Sequence, residues 1–156
     1  KVSVNLSAAV LNSARKRSVS IIMKVRVIDP ESPYYGQEFE GNCVYYDLYH
    51  TGSSPDLFSI KTSEGSVNLL STQIDAEHYW NQRRQEQIEI LGADVGDTVI
   101  VTRYGGGSFN AGFKYKEPHV ITSIDSSGYV EFDNGAAKTF RPDVQVIQRK
   151  AVEVQV

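Results

Sequence analysis

Cations set beside tyrosines are the residues in this sequence best placed to do chemistry. Arg103-Tyr104 and Lys114-Tyr115-Lys116 interleave the two types, Lys138 and Arg141 flank the last turn, and Arg149-Lys150 follow the final apolar run. Further upstream lie Arg15-Lys16-Arg17, Lys24, Arg26 and Arg83-Arg84. Lys and Arg contact phosphates, Arg also enters a minor groove, and an exposed tyrosine ring can stack on a base. These residues are therefore the candidate nucleic-acid-binding set, with double-stranded DNA the expected partner. The competing reading is a solvated face balanced by acids. From Gly96 to Val156 seven basic residues meet seven acidic ones, and residues 1 to 95 hold nine against twelve. Glu31, Glu38, Glu40 and Asp47 make the first stretch the weaker phosphate binder.

Catalytic and metal-binding patterns are missing from the sequence. His50, His78 and His119 are isolated, and no phosphate-binding loop, nucleophile elbow or His-Glu-x-x-His is present. Gly105-Gly106-Gly107 opens no helix, so it reads as a strand connection. The single cysteine, Cys43, allows no intramolecular disulfide and no thiolate zinc site, and reads as a small buried apolar residue. A non-enzymatic protein without cofactor or metal is expected. The net charge of −3 is not that of a simple nucleic-acid coat, but a local basic stripe matters more than the sum. No apolar run approaches the roughly 20 residues that span a membrane, and the N-terminal segment is polar. The expectation is a soluble cytoplasmic protein.

The elements that must position these cations are mostly short strands. Val19, Ile21, Met23, Val25 and Val27 alternate, which predicts a half-buried strand. Asp29-Pro30 breaks it, Tyr34–Gly41 and Val44–Tyr49 read as extended, and Leu57, Phe58 and Ile60 mark a further strand before Val67, Leu69 and Ile74. Residues 1–18 form an N-terminal segment in which Ser7 caps a short helix ending in Arg15-Lys16-Arg17, a candidate homodimer contact. Residues 75–91 read as a linker helix capped by Asp75 and running into a strand near Ile88, Ile90 and Leu91. Strand rhythm returns at Val99 and Val101, continues through an extended Phe109–Lys116 and Val120–Ile124, and passes Tyr129–Phe132 to Asp133-Asn134-Gly135, where Asn-Gly predicts a type I′ hairpin. Residues 151–156 are a tail.

The two strand-rich stretches can be laid over each other. Val25-Arg26-Val27 falls on Val99-Ile100-Val101, Tyr35 on Phe109, Phe39 on Phe113, and Phe58–Lys61 on Val130–Asp133, with Gly65 near Gly135. The expected architecture is mainly β, with two small tandem barrels at 19–74 and 92–150. Gly96-Asp97-Thr98-Val99-Ile100-Val101, the Gly-rich break, and His119–Asp125 with Tyr129–Phe132 resemble the KOW or Tudor-like SH3 class, which opens with Gly-Asp-x-Val-x-Val. The first copy fits loosely, since Met23-Lys24 replaces the Gly-Asp pair. Element order and size also resemble an early DNA-binding protein of T4-type bacteriophages. That resemblance implies DNA occupancy during early infection, with host nucleoid or transcription proteins as further partners. Two other readings stay open: a protein-interaction module using aromatic loops, and a DNA mimic, for which the acids are few and dispersed.

Overall fold

Alternation of buried and exposed residues along short segments builds two separate sheets. The computed structural model describes residues 21–45 and 55–151. The segment expected to form an N-terminal helix, with Arg15, Lys16 and Arg17, lies outside the described residues, as do Tyr46 and Tyr49. The chain divides into two compact units, with the boundary between Arg83 and Arg84. The expected linker helix is thus shared between the units along its length.

The first unit is an antiparallel meander of β1 (Lys24–Arg26), β2 (Glu38–Tyr45), β3 (Leu57–Thr62) and β4 (Gly65–Leu70), in that spatial order. Tyr34–Gly41 and Val44–Tyr49 were expected as two extended pieces. Instead Tyr34 and Tyr35 lie in a turn, and one strand runs from Glu38 through Tyr45. A 3-10 turn at Ser71–Gln73 leads to Ile74, which bridges back to Val27. Met23, Val25, Val27, Phe58, Ile60, Leu69, Ile74 and Tyr79 form the core. Tyr79 and Trp80 reach it from helix α1 (Ala76–Leu91), with Tyr79 edge-on to Phe58 at 4.9 Å. Asp75 caps α1 as expected, its Oδ1 accepting the His78 N–H at 3.0 Å.

The helix does not give way to a strand at Ile88. It continues to Leu91 because Ile88 and Leu91, three apart on one helix face, pack against the second core. Gly92 then takes a left-handed φ of 76° and donates its N–H to the Ile88 carbonyl at 2.8 Å, ending the helix.

The second unit holds β5 (Thr98–Arg103), β6 (Gly107–Phe109), β7 (His119–Ile124), β8 (Tyr129–Phe132), β9 (Ala137–Phe140) and β10 (Asp143–Gln148). Their spatial order is β10-β5-β7-β8-β9-β6, all antiparallel pairs. Val99, Val101, Ile121, Ile124, Val130, Phe132, Ala93 and Ala137 form its core. Neither sheet closes on itself, so two open sheets stand where two closed barrels were expected.

The two units have a strand order in common. Each unit places its last extended piece beside its first strand, followed by the second, third and fourth: Ile74-β1-β2-β3-β4 in one, β10-β5-β7-β8-β9 in the other. Phe58 and Ile60 face Leu69 and Val67 as Val130 and Phe132 face Thr139 and Ala137. The gapless overlay fails between the first two strands. Val25 pairs with Phe39, whereas Val99 pairs with His119, so the equivalent of Phe39 is His119 and not Phe113. The second unit carries a connection six residues longer there, and β6 is built from it.

Candidate nucleic-acid interface

The long connection from Arg103 to His119 brings most of the interleaved aromatics and cations of the second unit together. It is held against β9 by backbone. The Phe140 N–H donates to the Gly106 carbonyl at 2.8 Å and the Asn110 N–H to Ala136 at 2.8 Å. The Thr139 hydroxyl, fully buried, accepts from the Gly105 N–H at 3.0 Å and donates to the Gly105 carbonyl at 3.1 Å. A Cβ at Gly105 would sit 1.8 Å from the Phe140 carbonyl oxygen, and one at Gly107 1.9 Å from that of Lys138, while Gly106 faces open space. The triple glycine is therefore a close backbone approach, and Gly107 already belongs to a strand.

Tyr104, Phe109, Phe113 and Tyr115 pack ring on ring, with Tyr104 and Tyr115 nearest at 4.7 Å. Burial, followed by the neighbouring Tyr115, pushes the Tyr104 phenol up, and its hydroxyl has no hydrogen-bond partner among the described residues. Tyr104 thus faces the cluster, and Tyr115, 56% exposed, is the ring that meets solvent. The extended run expected at Phe109–Lys116 ends at Phe109. Turns follow, with Lys116 at a φ of 64°, so strand alternation does not set the faces of Lys114 and Lys116.

His119 locks the far end. Its ring stacks on Phe113 at 4.2 Å, Nε2 meets the Lys114 carbonyl at 2.7 Å, and Nδ1 meets the Asp133 carboxylate at 2.5 Å. Asp133 also accepts the Val120 N–H at 2.9 Å. Both ring nitrogens face oxygens, so this His-Asp pair leaves no free nitrogen to act as a base. An open cleft of about 450 Å³ beside it is lined by Asn110, Gly112, Phe113, Lys114, Glu117 and Asp133, among others. Asp133, Asn134 and Gly135 all adopt positive φ, so the hairpin is a four-residue loop beginning one residue before the expected Asn-Gly. Among the described residues, no three His, Cys, Asp or Glu side chains are grouped to hold a metal.

The other candidate cations mostly serve the fold. In the first unit Arg26 pairs with Glu38 at 3.1 Å, Lys24 lies exposed on β1, and the Arg83 Nε donates to the Tyr79 hydroxyl at 3.1 Å. In the second, the Arg84 Nε donates to the Ile124 carbonyl at 2.9 Å and Arg103 pairs with Asp143 at 2.8 Å. The Arg141 Nε donates to Gln87 Oε1 at 3.0 Å. Arg149 pairs with Asp97 at 3.1 Å, and the stem of Lys150 lies over Gly96. Lys138 stands 5.6 Å from the Tyr129 ring centroid.

Asp97, the acid of the Gly-Asp opening, is a residue the sequence marked only as a motif. Burial pushes its carboxyl up, but the N–H groups of Lys150 and Asp94 and the Arg149 guanidinium outweigh that and hold it below the ordinary carboxylate value. Cys43 is half-buried. Burial and then the Asp56 charge push its thiol up, against the opposing pull of a Tyr45 backbone hydrogen bond and the Arg83 charge, so it is no reactive thiolate. No helix among the described residues is long and apolar enough to cross a membrane. Comparison with protein-family models, with curated proteins and with solved structures finds no match to this chain.

Proposed function

We propose that the protein is a non-enzymatic, largely sequence-nonspecific binder of double-stranded DNA, and that its two units are open, diverged copies of one SH3-like arrangement. The shared strand order and the matched core positions support the second half of this reading. One observation carries the first half. Lys114 and Lys116 flank exposed Tyr115 on a connection pinned by His119 and the aromatic cluster, and neither lysine has a carboxylate partner among the described residues. A pinned, unpaired cation contacts phosphate without first breaking an internal ion pair. Such contacts read the backbone and carry little sequence information.

A second reading, contact with another protein, is favoured on the first unit by Tyr35, Val44 and Tyr45, all more than half exposed beside Glu38 and Glu40. Charge reversal separates the two. Lys114→Glu with Lys116→Glu should weaken duplex binding at least tenfold, on the scale of two lost phosphate contacts in low salt. A protein contact centred on the first unit would be untouched by the same change, and unchanged duplex affinity would remove the lysines from the DNA contact.

A further inference from the structure

The outer face of the β8–β9 hairpin carries an aromatic pair that neither core uses. Along β8, Val130 and Phe132 turn inward; along β9, Ala137 and Thr139 do. Period-two alternation puts Tyr129, Glu131, Lys138 and Phe140 on the opposite face. Tyr129 and Phe140 are directly paired across the strands, with ring centroids 5.4 Å apart and planes at 63°. They stay 37% and 38% exposed.

Two cations are already placed at these rings. The Lys138 ammonium lies 5.6 Å from the Tyr129 centroid, and the Arg141 guanidinium 5.3 Å from that of Phe140. Arg141 is held in place: its Nε donates to Gln87, its N–H donates to the Gly128 carbonyl at 2.9 Å, and it sits at a φ of 41°. The acid on this face is Glu131, which accepts from the Thr122 hydroxyl at 3.3 Å. Rings that keep more than a third of their surface exposed offer a face to unstacked bases, and the cations over the same rings suit the phosphates that link those bases. A duplex cannot use such a platform, because its bases are already stacked inside.

We propose that this face binds single-stranded DNA, with unpaired bases stacking on Tyr129 and Phe140 while Lys138 and Arg141 meet the flanking phosphates. The proposal rests on the reading of the second unit as DNA-binding, but uses residues other than Lys114 and Lys116. Fluorescence anisotropy of the full chain with labelled oligothymidine, and separately with a mixed-sequence duplex, tests it. In Tyr129→Leu with Phe140→Leu, which keeps the face apolar and removes the rings, affinity for oligothymidine should fall about tenfold or more with duplex affinity unchanged. Duplex binding by the wild type without oligothymidine binding would overturn the platform and leave duplex binding standing. So would a leucine variant that binds oligothymidine as tightly as the wild type. Binding of neither DNA would overturn both readings. If thermal melting shows that the leucine variant does not fold, photo-crosslinking of iododeoxyuridine-substituted oligothymidine to the wild type decides. Adducts on Tyr129 or Phe140 support the platform, and adducts found only elsewhere overturn it.

Discussion

Two tyrosine hydroxyls, those of Tyr79 and Tyr104, have opposite hydrogen-bond circumstances and should respond oppositely to the same substitution. The Tyr79 hydroxyl accepts the Cys43 N–H at 3.0 Å and the Arg83 Nε at 3.1 Å. Tyr79→Phe strips both donors of their acceptor and should cost about 1–3 kcal/mol. The Tyr104 hydroxyl is buried without a partner among the described residues, so Tyr104→Phe should be neutral or stabilising by up to about 1 kcal/mol. Urea unfolding of both variants checks the contrast. Asp97 sets a pH dependence. Its carboxyl is depressed in the folded chain, so the stability it contributes is present above the ordinary carboxylate range and is lost as pH falls through its lowered value. Asp97→Asn should therefore cost about 1–3 kcal/mol at neutral pH, with the gap to wild type closing below about pH 4 in acid titrations. None of this was legible in the sequence. The Gly-Asp pair stood out as a motif, but its partners Arg149 and Lys150 lie more than fifty residues away. Basic clusters likewise could not reveal that Arg84, Arg103 and Arg149 have partners within the chain, because a carbonyl or carboxylate far away in sequence decides it.

Strands with strict alternation were readable as elements because one face of each is buried. Val25 and Val27, Phe58 and Ile60, and Val130 and Phe132 fall where period-two spacing puts them. Ile88, Ile90 and Leu91 misled because a short apolar run suits a strand as well as a helix, and only packing against the second core distinguishes them. Turn chemistry was half legible: glycines marked the breaks, but not which of them backbone contact requires. The Gly105–Gly107 connection makes that requirement testable. Gly105→Ala and Gly107→Ala each drive a methyl into a β9 carbonyl and should cost about 1–3 kcal/mol or more in thermal unfolding, while Gly106→Ala should be nearly silent. Equal effects at all three positions would contradict the close approach of this connection to β9.

At the scale of the whole chain, one strand order is used twice with different trimmings. The first unit is short between its first two strands and keeps acids on its surface; the second inserts a long connection there and spends it on β6, the aromatic cluster and two lysines without a carboxylate partner among the described residues. The sequence overlay found equivalent core positions in the first and third strands but slid by six residues at the second, where the insertion carries the candidate site itself. With a net charge of −3, the proposed DNA binding depends on where lysines stand and not on their number. The salt dependence of duplex affinity tests this most directly. Wild-type affinity should fall linearly on a log–log plot against salt, and Lys114→Ala with Lys116→Ala should flatten the slope by about 0.9 for each lysine. No duplex binding at low salt, or a slope the double variant leaves unchanged, would contradict the account.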